Sequence, residues 1–389
     1  MKVALVFDGL GFGGIERIGV NYAQIFKELG YEVDIYNLKP EKNEMEKEFI
    51  KDCNIIHCKF PLILTPDYYM LIVKRWWWGK YLYPLVYIFS SILLYLYRFL
   101  KGKRKEYDIT VAFSGHFRDL TFVAYNFVKG KKQVCWLHGA LMEYLVLSCT
   151  FGNLYRKIKN LCVLSEDRQE VALDANRYLI GELNIKKIYN PMFIKKKDVD
   201  LEVINEIKEK YGKYLLMVGR FEVDKDQKTV IETLKILKEK YNRTEKLIFV
   251  GSGSTLEECK NYVEQLKLSN DIFFTGARYD VENFYSTADI FIHSSKAEGL
   301  PTVLLEAMIY EVPIVATDSP PGVTEILGND KYGVRCSIGN PEDMAEKIHK
   351  MLTDNNLYDY YIEQGKKRII DFEYCVIKDK LKDILREFV

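Results

Sequence analysis

Short apolar runs, each followed by a loop and then a helical pattern, recur along the chain. That alternation restricts it to doubly wound parallel sheets covered by helices. In the first half the runs are Val3–Phe7, Glu32–Tyr36, Asn54–His57, Asp108–Phe113, Gln133–Leu137 and Leu161–Leu164. In the second they are Tyr214–Val218, Lys246–Val250, Ile272–Thr275, Ile290–His293 and Pro313–Ala316. Between the halves, Tyr189-Asn-Pro-Met192 and Lys195-Lys-Lys-Asp-Val-Asp200 are polar, charged and interrupted by proline, which reads as a linker. The length of 389 residues and 48% hydrophobic content suit two domains with their own cores. The expected division is 1–192, a linker at 193–200, a second domain at 201–370 and a closing helix at 371–389.

An open parallel sheet binds ligands beyond the carboxyl ends of its strands. Two motifs of the second half fall there. Glu298-Gly-Leu-Pro-Thr-Val-Leu-Leu-Glu306 leaves the run ending at His293 and is expected to open a helix with Pro301 at its first position. The N–H groups around Gly299, Leu300, Thr302 and Val303 then suit a phosphate, and the flanking carboxylates suit hydroxyls such as those of a sugar or ribose. Gly219-Arg-Phe-Glu-Val-Asp-Lys225 follows Tyr214–Val218 and places Arg220 and Lys225 on the same rim, before a helix from Gln227 to Lys240. Two cations and a helix N-terminus can neutralise a diphosphate without a metal. The combination points to a nucleotide-sugar. Taken singly, each motif also has a structural explanation: glutamate complements a helix dipole, and loop cations are solvated.

With the Gly13-Gly14-Ile-Glu-Arg17 loop, His138 after Val134-Cys-Trp-Leu137, Gly219-Arg220 with Lys225, Gly251-Ser-Gly253 and the Glu298/Glu306 pair, the chain resembles the glycosyltransferase family 4 enzymes along nearly its whole length. The second-half motifs are the more specific. The resemblance implies the GT-B fold: two Rossmann-like α/β domains facing a central cleft, with the C-terminal helix returning to the first. It implies that Glu298 contacts donor-sugar hydroxyls and Glu306 the ribose. Arg220 and Lys225 would hold the diphosphate, Gly13 and Gly14 would approach the phosphates, and His138 would lie near the transferred sugar. The implied reaction is retaining transfer of a hexose or N-acetylhexosamine, from a UDP-sugar by family frequency, to a glycan or lipid-linked acceptor in cell-surface polysaccharide synthesis. Neither metal nor other cofactor is expected.

Competing motifs are present. Gly9-Leu-Gly11-Phe-Gly-Gly14 satisfies the dinucleotide fingerprint, with Glu32 and Asp34 about twenty residues on, so an NAD-dependent oxidoreductase is the alternative enzyme. It leaves the second-half charges unexplained. A non-catalytic scaffold leaves them unexplained too; within the fold, an epimerase or phosphorylase also remains open. Asp198-Val-Asp200 and Asp224-Lys-Asp226 read as solvated loops rather than metal motifs. His116 and His293 read as packed residues at strand ends, and Cys53, His57 and Cys58 do not complete a zinc site.

The net charge of +1 argues against a nucleic-acid partner, but residues 51–132 carry 14 basic and 5 acidic side chains. Within them, Tyr81 to Tyr97 is uncharged and holds five tyrosines, preceded by Arg75-Trp-Trp-Trp78 and Lys80 and followed by Arg98, Lys101, Lys103, Arg104 and Lys105. Aromatic and basic flanks, with Pro84 shortening any uninterrupted helix, favour a segment at 71–105 lying on an anionic membrane surface over a buried core helix or a membrane span. Eight cysteines without a Cys-x-x-Cys pair, and a Val3–Phe7 run cut short by Asp8 and Gly9, lead to the expectation of a cytoplasmic protein, peripheral at the inner face of the cell membrane.

Overall fold

The computed structural model describes all residues except 50–52, 103, 140, 166–182, 195 and 389; Lys103 of the basic segment and Lys195 of the linker lie outside the described residues. The chain divides into two compact units, Met1–Pro191 with Cys375–Val389, and Met192–Tyr374.

The first unit is built on β1 (Lys2–Phe7), β2 (Glu32–Asn37), β3 (Asn54–His57), β4 (Glu106–Ala112), β5 (Lys129–Trp136), β6 (Asn160–Val163) and β7 (Asn184–Lys187). Their spatial order is β3-β2-β1-β4-β5-β6-β7, every pairing parallel. The chain starts at the sheet centre, winds out to β3, then returns to lay β4 against β1, so the winding reverses between those two strands. Both faces are covered, which is why β1 is apolar at consecutive positions rather than at alternate ones. The closing helix Tyr374–Glu387 buries Ile377, Leu381, Ile384 and Leu385 in this unit, where Lys132 Nζ donates to Leu385 O at 3.3 Å and Lys378 pairs with Glu28 at 2.9 Å.

The second unit repeats the plan with β8 (Tyr214–Val218), β9 (Lys246–Val250), β10 (Ile272–Phe274), β11 (Ile290–His293), β12 (Ile314–Thr317) and β13 (Val334–Cys336), ordered β10-β9-β8-β11-β12-β13 and parallel throughout. Here the winding reverses between β8 and β11. Residues of the expected linker attach to this unit: Lys197 N–H donates to Tyr310 Oη and Asp200 N–H to Asn283 Oδ1. The Asp200 carboxylate caps the helix Leu201–Tyr211 by accepting from Glu202 and Val203.

Several local expectations need correction. β7 and β13, each at one edge of its sheet, do not stand out as apolar runs because charged side chains interrupt them, in Asn184-Ile-Lys-Lys187 and Val334-Arg-Cys336. The terminal segment is two helices, Asn355–Ile369 and Tyr374–Glu387, separated by a 3-10 turn. Pro84 does not shorten its helix. The helix runs from Gly79 to Leu100 with Pro84 inside. Nor is it a core helix: Ser90 and Leu94 are buried, whereas Leu85, Ile88, Phe89, Ile92, Leu96 and Phe99 are exposed.

Candidate active site

Every strand of the second unit ends at the same rim, and the loops after the two central strands β8 and β11 are bonded to each other. Gln227 Nε2 donates to Arg220 O at 2.8 Å, fixing the loop after β8. Ser294 Oγ donates to Lys225 O at 2.7 Å, and Lys296 N–H to Asp224 O at 2.8 Å. Thr317 Oγ1 anchors the β11 loop from behind by donating to Ser295 O at 2.6 Å. A third loop is held by backbone approach: a side chain at Gly251 would place Cβ 1.9 Å from Gly219 O, and one at Gly253 would place it 2.3 Å from Phe221 O. Only glycine lets these segments lie so close.

This scaffold brings Lys225 and Glu298 into direct contact. Lys225 Nζ lies 2.5 Å from Glu298 Oε1, Ser295 Oγ donates to the same oxygen at 2.7 Å, and His293 Nε2 stands 3.2 Å from it. Burial opposes ionisation of Glu298, but His293, Lys225 and Ser295 together outweigh it and hold the carboxyl down at about 2. Glu298 is therefore a fixed acceptor at neutral pH. His293 has both ring nitrogens buried without a hydrogen-bond partner among the described residues, because its approach to Glu298 is off the hydrogen-bond direction. The exposed Arg220 guanidinium has no side-chain partner among the described residues.

The helix after Glu298 begins one residue later than expected. Pro301 is its N-cap and Thr302–Ile309 its body. The N–H groups of Gly299, Leu300, Thr302 and Val303 have no acceptor among the described residues, as at any uncapped helix start. Gly322 packs on this turn: its N–H donates to Glu298 O at 2.9 Å, and a Cβ there would come 2.5 Å from Gly299 O. Glu306 sits apart from the Glu298 cluster, accepting from Tyr285 Oη at 3.1 Å, with burial raising its carboxyl above the ordinary range.

The remaining sequence-predicted residues are in the first unit. Gly13 is extended at φ −164° and precedes the helix Gly14–Glu28. A Cβ on Gly14 would meet nothing within 4 Å. The third glycine of a dinucleotide fingerprint serves close helix–strand packing, a role Gly14 does not have here. His138, after β5, has Nε2 2.8 Å from Phe113 O and its ring against that of Phe113. Burial drives its pKa down to about 4, so the imidazole is neutral at physiological pH; a carbonyl can only accept, which puts the proton on Nε2 and leaves Nδ1 as the acceptor nitrogen.

Sequence reasoning missed a second charged cluster, where β1 and β4 end. Asp8 Oδ2 receives Lys39 Nζ at 2.9 Å and His116 Nδ1 at 3.3 Å, Oδ1 receives Arg118 at 3.2 Å, and the Asp8 N–H donates to Ser114 Oγ. Behind it, fully buried Asp119 accepts the N–H groups of Gly115 and His116 at 2.8 Å each. The usable signal is position: Asp8 follows β1, and His116 and Arg118 follow β4, the two strands between which the winding reverses, while Lys39 reaches in from the end of β2. His293, the last residue of β11, carries the same signal.

Residues 201–368 match the family model of glycosyl transferases group 1, a span that contains Arg220, Lys225, Glu298 and Glu306. Over that span the chain is similar to the group 1 glycosyl transferases. An uncharacterized glycosyltransferase of Haemophilus influenzae is 26% identical over 384 residues, with 96% of each chain covered. The amylovoran biosynthesis glycosyltransferase AmsD of Erwinia amylovora is 21% identical over 99% of each. Among solved structures, Anabaena HepE in complex with UDP superposes with a TM-score of 0.72 at 18% identity, covering both chains completely. That likeness concerns the fold, and it agrees with two Rossmann-like units of the GT-B type.

Proposed function

We propose that this chain is a glycosyltransferase that moves a hexose or N-acetylhexosamine from a UDP-sugar to a glycan or lipid-linked acceptor in cell-surface polysaccharide synthesis, with retention of anomeric configuration and without a metal. The observation that carries the reading is the bonded cluster at the reversal point of the second unit: Lys225 on Glu298, His293 and Ser295 beside them, and exposed Arg220 on the neighbouring loop. Two further facts support it, the amylovoran-pathway name of a full-length relative and the UDP held by a protein of the same fold.

Charge development dictates the roles. As the bond between the anomeric carbon and the donor phosphate oxygen breaks, its electron pair goes to the diphosphate. Arg220, Lys225 and the N–H groups from Gly299 to Val303 stabilise that charge, and because they are fixed beforehand they act on the transition state. The acceptor hydroxyl forms the new carbon–oxygen bond on the same face and gives its proton to the departing phosphate oxygen, so no separate protein base is needed. Glu298, ionised and immobile, accepts from sugar hydroxyls. Glu306 is assigned to the ribose, and neutral His138 to hydrogen bonding rather than charge.

The basic and apolar segment supports placing the enzyme on the inner face of the cell membrane, where cytoplasmic donor meets lipid-linked acceptor. A panel of nucleotide sugars incubated with and without lipid-linked acceptor tests the reaction. Acceptor-dependent release of UDP, insensitive to chelator and yielding a product anomer of donor configuration, is expected. Release independent of acceptor, loss of activity on chelation or an inverted anomer contradicts the corresponding part, and NADH formation would favour the oxidoreductase.

A further inference from the structure

We propose that the cleft between the helices Gly79–Leu100 and Phe151–Ile158 holds the phosphate headgroup of an anionic membrane lipid, while the outer face of the first helix lies in the bilayer surface. This deepens the membrane reading above and rests on it.

The helix is amphipathic in the opposite sense from an ordinary surface helix. Leu85, Ile88, Phe89, Ile92, Leu96 and Phe99 recur at three- and four-residue spacing and all point to solvent, Phe99 at 83% exposure. Its length of about 33 Å makes this a larger continuous apolar stripe than a soluble surface tolerates without a partner. The opposite face is docked on the first unit: Leu94 is buried, Tyr87 Oη meets Tyr125 Oη at 3.3 Å, and Arg98 donates to Tyr125 O at 2.7 Å. A helix tied along one side by such bonds lies on a bilayer rather than crossing it. At its start Trp76 and Trp78 stack at 5.5 Å and Trp77 is 85% exposed, the aromatic belt expected at headgroup level. Exposed Arg75, Lys80, Lys101 and Arg104 flank the stripe, so the covering surface is anionic.

The cleft opens beside this stripe. It encloses about 610 Å³ between Tyr83, Pro84, Tyr87 and Ile88 on one side and Asn153, Arg156 and Lys157 on the other. Arg156 Nη2 donates to Asn153 Oδ1 at 2.8 Å, which orients the guanidinium, and Asn153 Nδ2 donates to Asp67 Oδ1 at 2.9 Å. Two polar atoms of this neighbourhood are buried without partners among the described residues: Tyr83 Oη and Asp67 Oδ2. Asp67 is fully buried and its carboxyl is pushed up to about 6, so a phosphate drawn near it favours the protonated form, which repels no anion. Two cations, a tyrosine hydroxyl awaiting an acceptor and an adjoining apolar face match one chemistry, a phosphate ester on a lipid tail.

Flotation of the full chain with phosphatidylcholine vesicles, with and without phosphatidylglycerol, tests the assignment, alongside UDP binding as a control for folding. Wild type is expected to float with phosphatidylglycerol vesicles, and Arg156→Ala with Lys157→Ala to weaken that binding by about tenfold or more. Tyr83→Phe, which changes no charge, is expected to weaken it less, and Lys2→Ala with Lys129→Ala, cations elsewhere on the unit, not at all. Leu85→Glu with Phe89→Glu abolishes binding to either vesicle. If the Arg156/Lys157 and Tyr83 variants float as wild type does, the headgroup site is wrong while the membrane reading stands. If wild type floats with neither vesicle, the membrane reading fails and the site with it.

Discussion

The two units share one winding, and each gathers charged side chains where that winding reverses, yet their buried carboxyls behave oppositely. Glu298 is held at about 2, while Asp119 is pushed up to about 7. Burial raises both. Glu298 meets a lysine, a histidine and a serine hydroxyl on one oxygen; Asp119 has two backbone N–H groups, and the cationic partners nearby are spent on Asp8. The second unit therefore keeps a fixed anion next to cations, an arrangement suited to binding polar ligands. The first keeps a carboxyl that burial leaves only partly ionised at neutral pH and that orders a turn.

Removing the cation that has no internal duty should separate the units most sharply. Arg220→Ala is expected to lower turnover by on the order of 10²–10³ while leaving the melting temperature nearly unchanged, because the side chain is exposed and has no side-chain partner among the described residues. A steady-state assay beside a thermal melt checks both halves. Lys225→Ala should lose comparable turnover and also stability, since it strands Glu298.

Acid stability comes next. A carboxyl whose folded pKa lies below its unfolded value of 4.5 contributes stability that is complete above that pH and lost as pH falls through about 2. The contribution is on the order of 3 kcal/mol, so denaturant midpoints followed from pH 5 to 2 should fall, and Glu298→Gln should flatten that fall. An unchanged slope in the variant would mean that the cluster does not hold the carboxylate.

Asp119 should show the reverse sign. Its folded pKa is raised, so wild type loses stability as pH climbs from about 4 to about 7, the interval over which only the unfolded chain ionises freely. Asp119→Asn removes that dependence but offers one acceptor oxygen to two N–H donors, so the net gain at pH 8 is on the order of 1 kcal/mol. Chemical denaturation at pH 5 and pH 8 measures it. Smallest of all, Trp77→Ala should alter stability by no more than about 0.5 kcal/mol, because the ring is in solvent.

What the sequence revealed follows the same physics. Central strands such as Val3–Phe7 and Ile290–His293 are covered on both faces and show as apolar runs, whereas β7 and β13 at the edges alternate with lysine and arginine and do not. Lys225 and Glu298 were legible because short spacing from strand ends fixed their rim. His293 and the Asp8, Lys39, His116 and Arg118 group were not, since their meaning depends on which strands become neighbours. The helix through Pro84 shows how tertiary docking, here of Tyr87 and Arg98 on Tyr125, overrides a local breaker.

The central claim is that Arg220 and Lys225 grip the diphosphate of the donor. Calorimetric titration of UDP into wild type and the Arg220→Ala/Lys225→Ala variant measures it most directly. The account predicts clear binding to wild type and at least about a tenfold loss in the variant, as expected for charge-assisted bonds to a phosphate; equal affinity in the two proteins would contradict it.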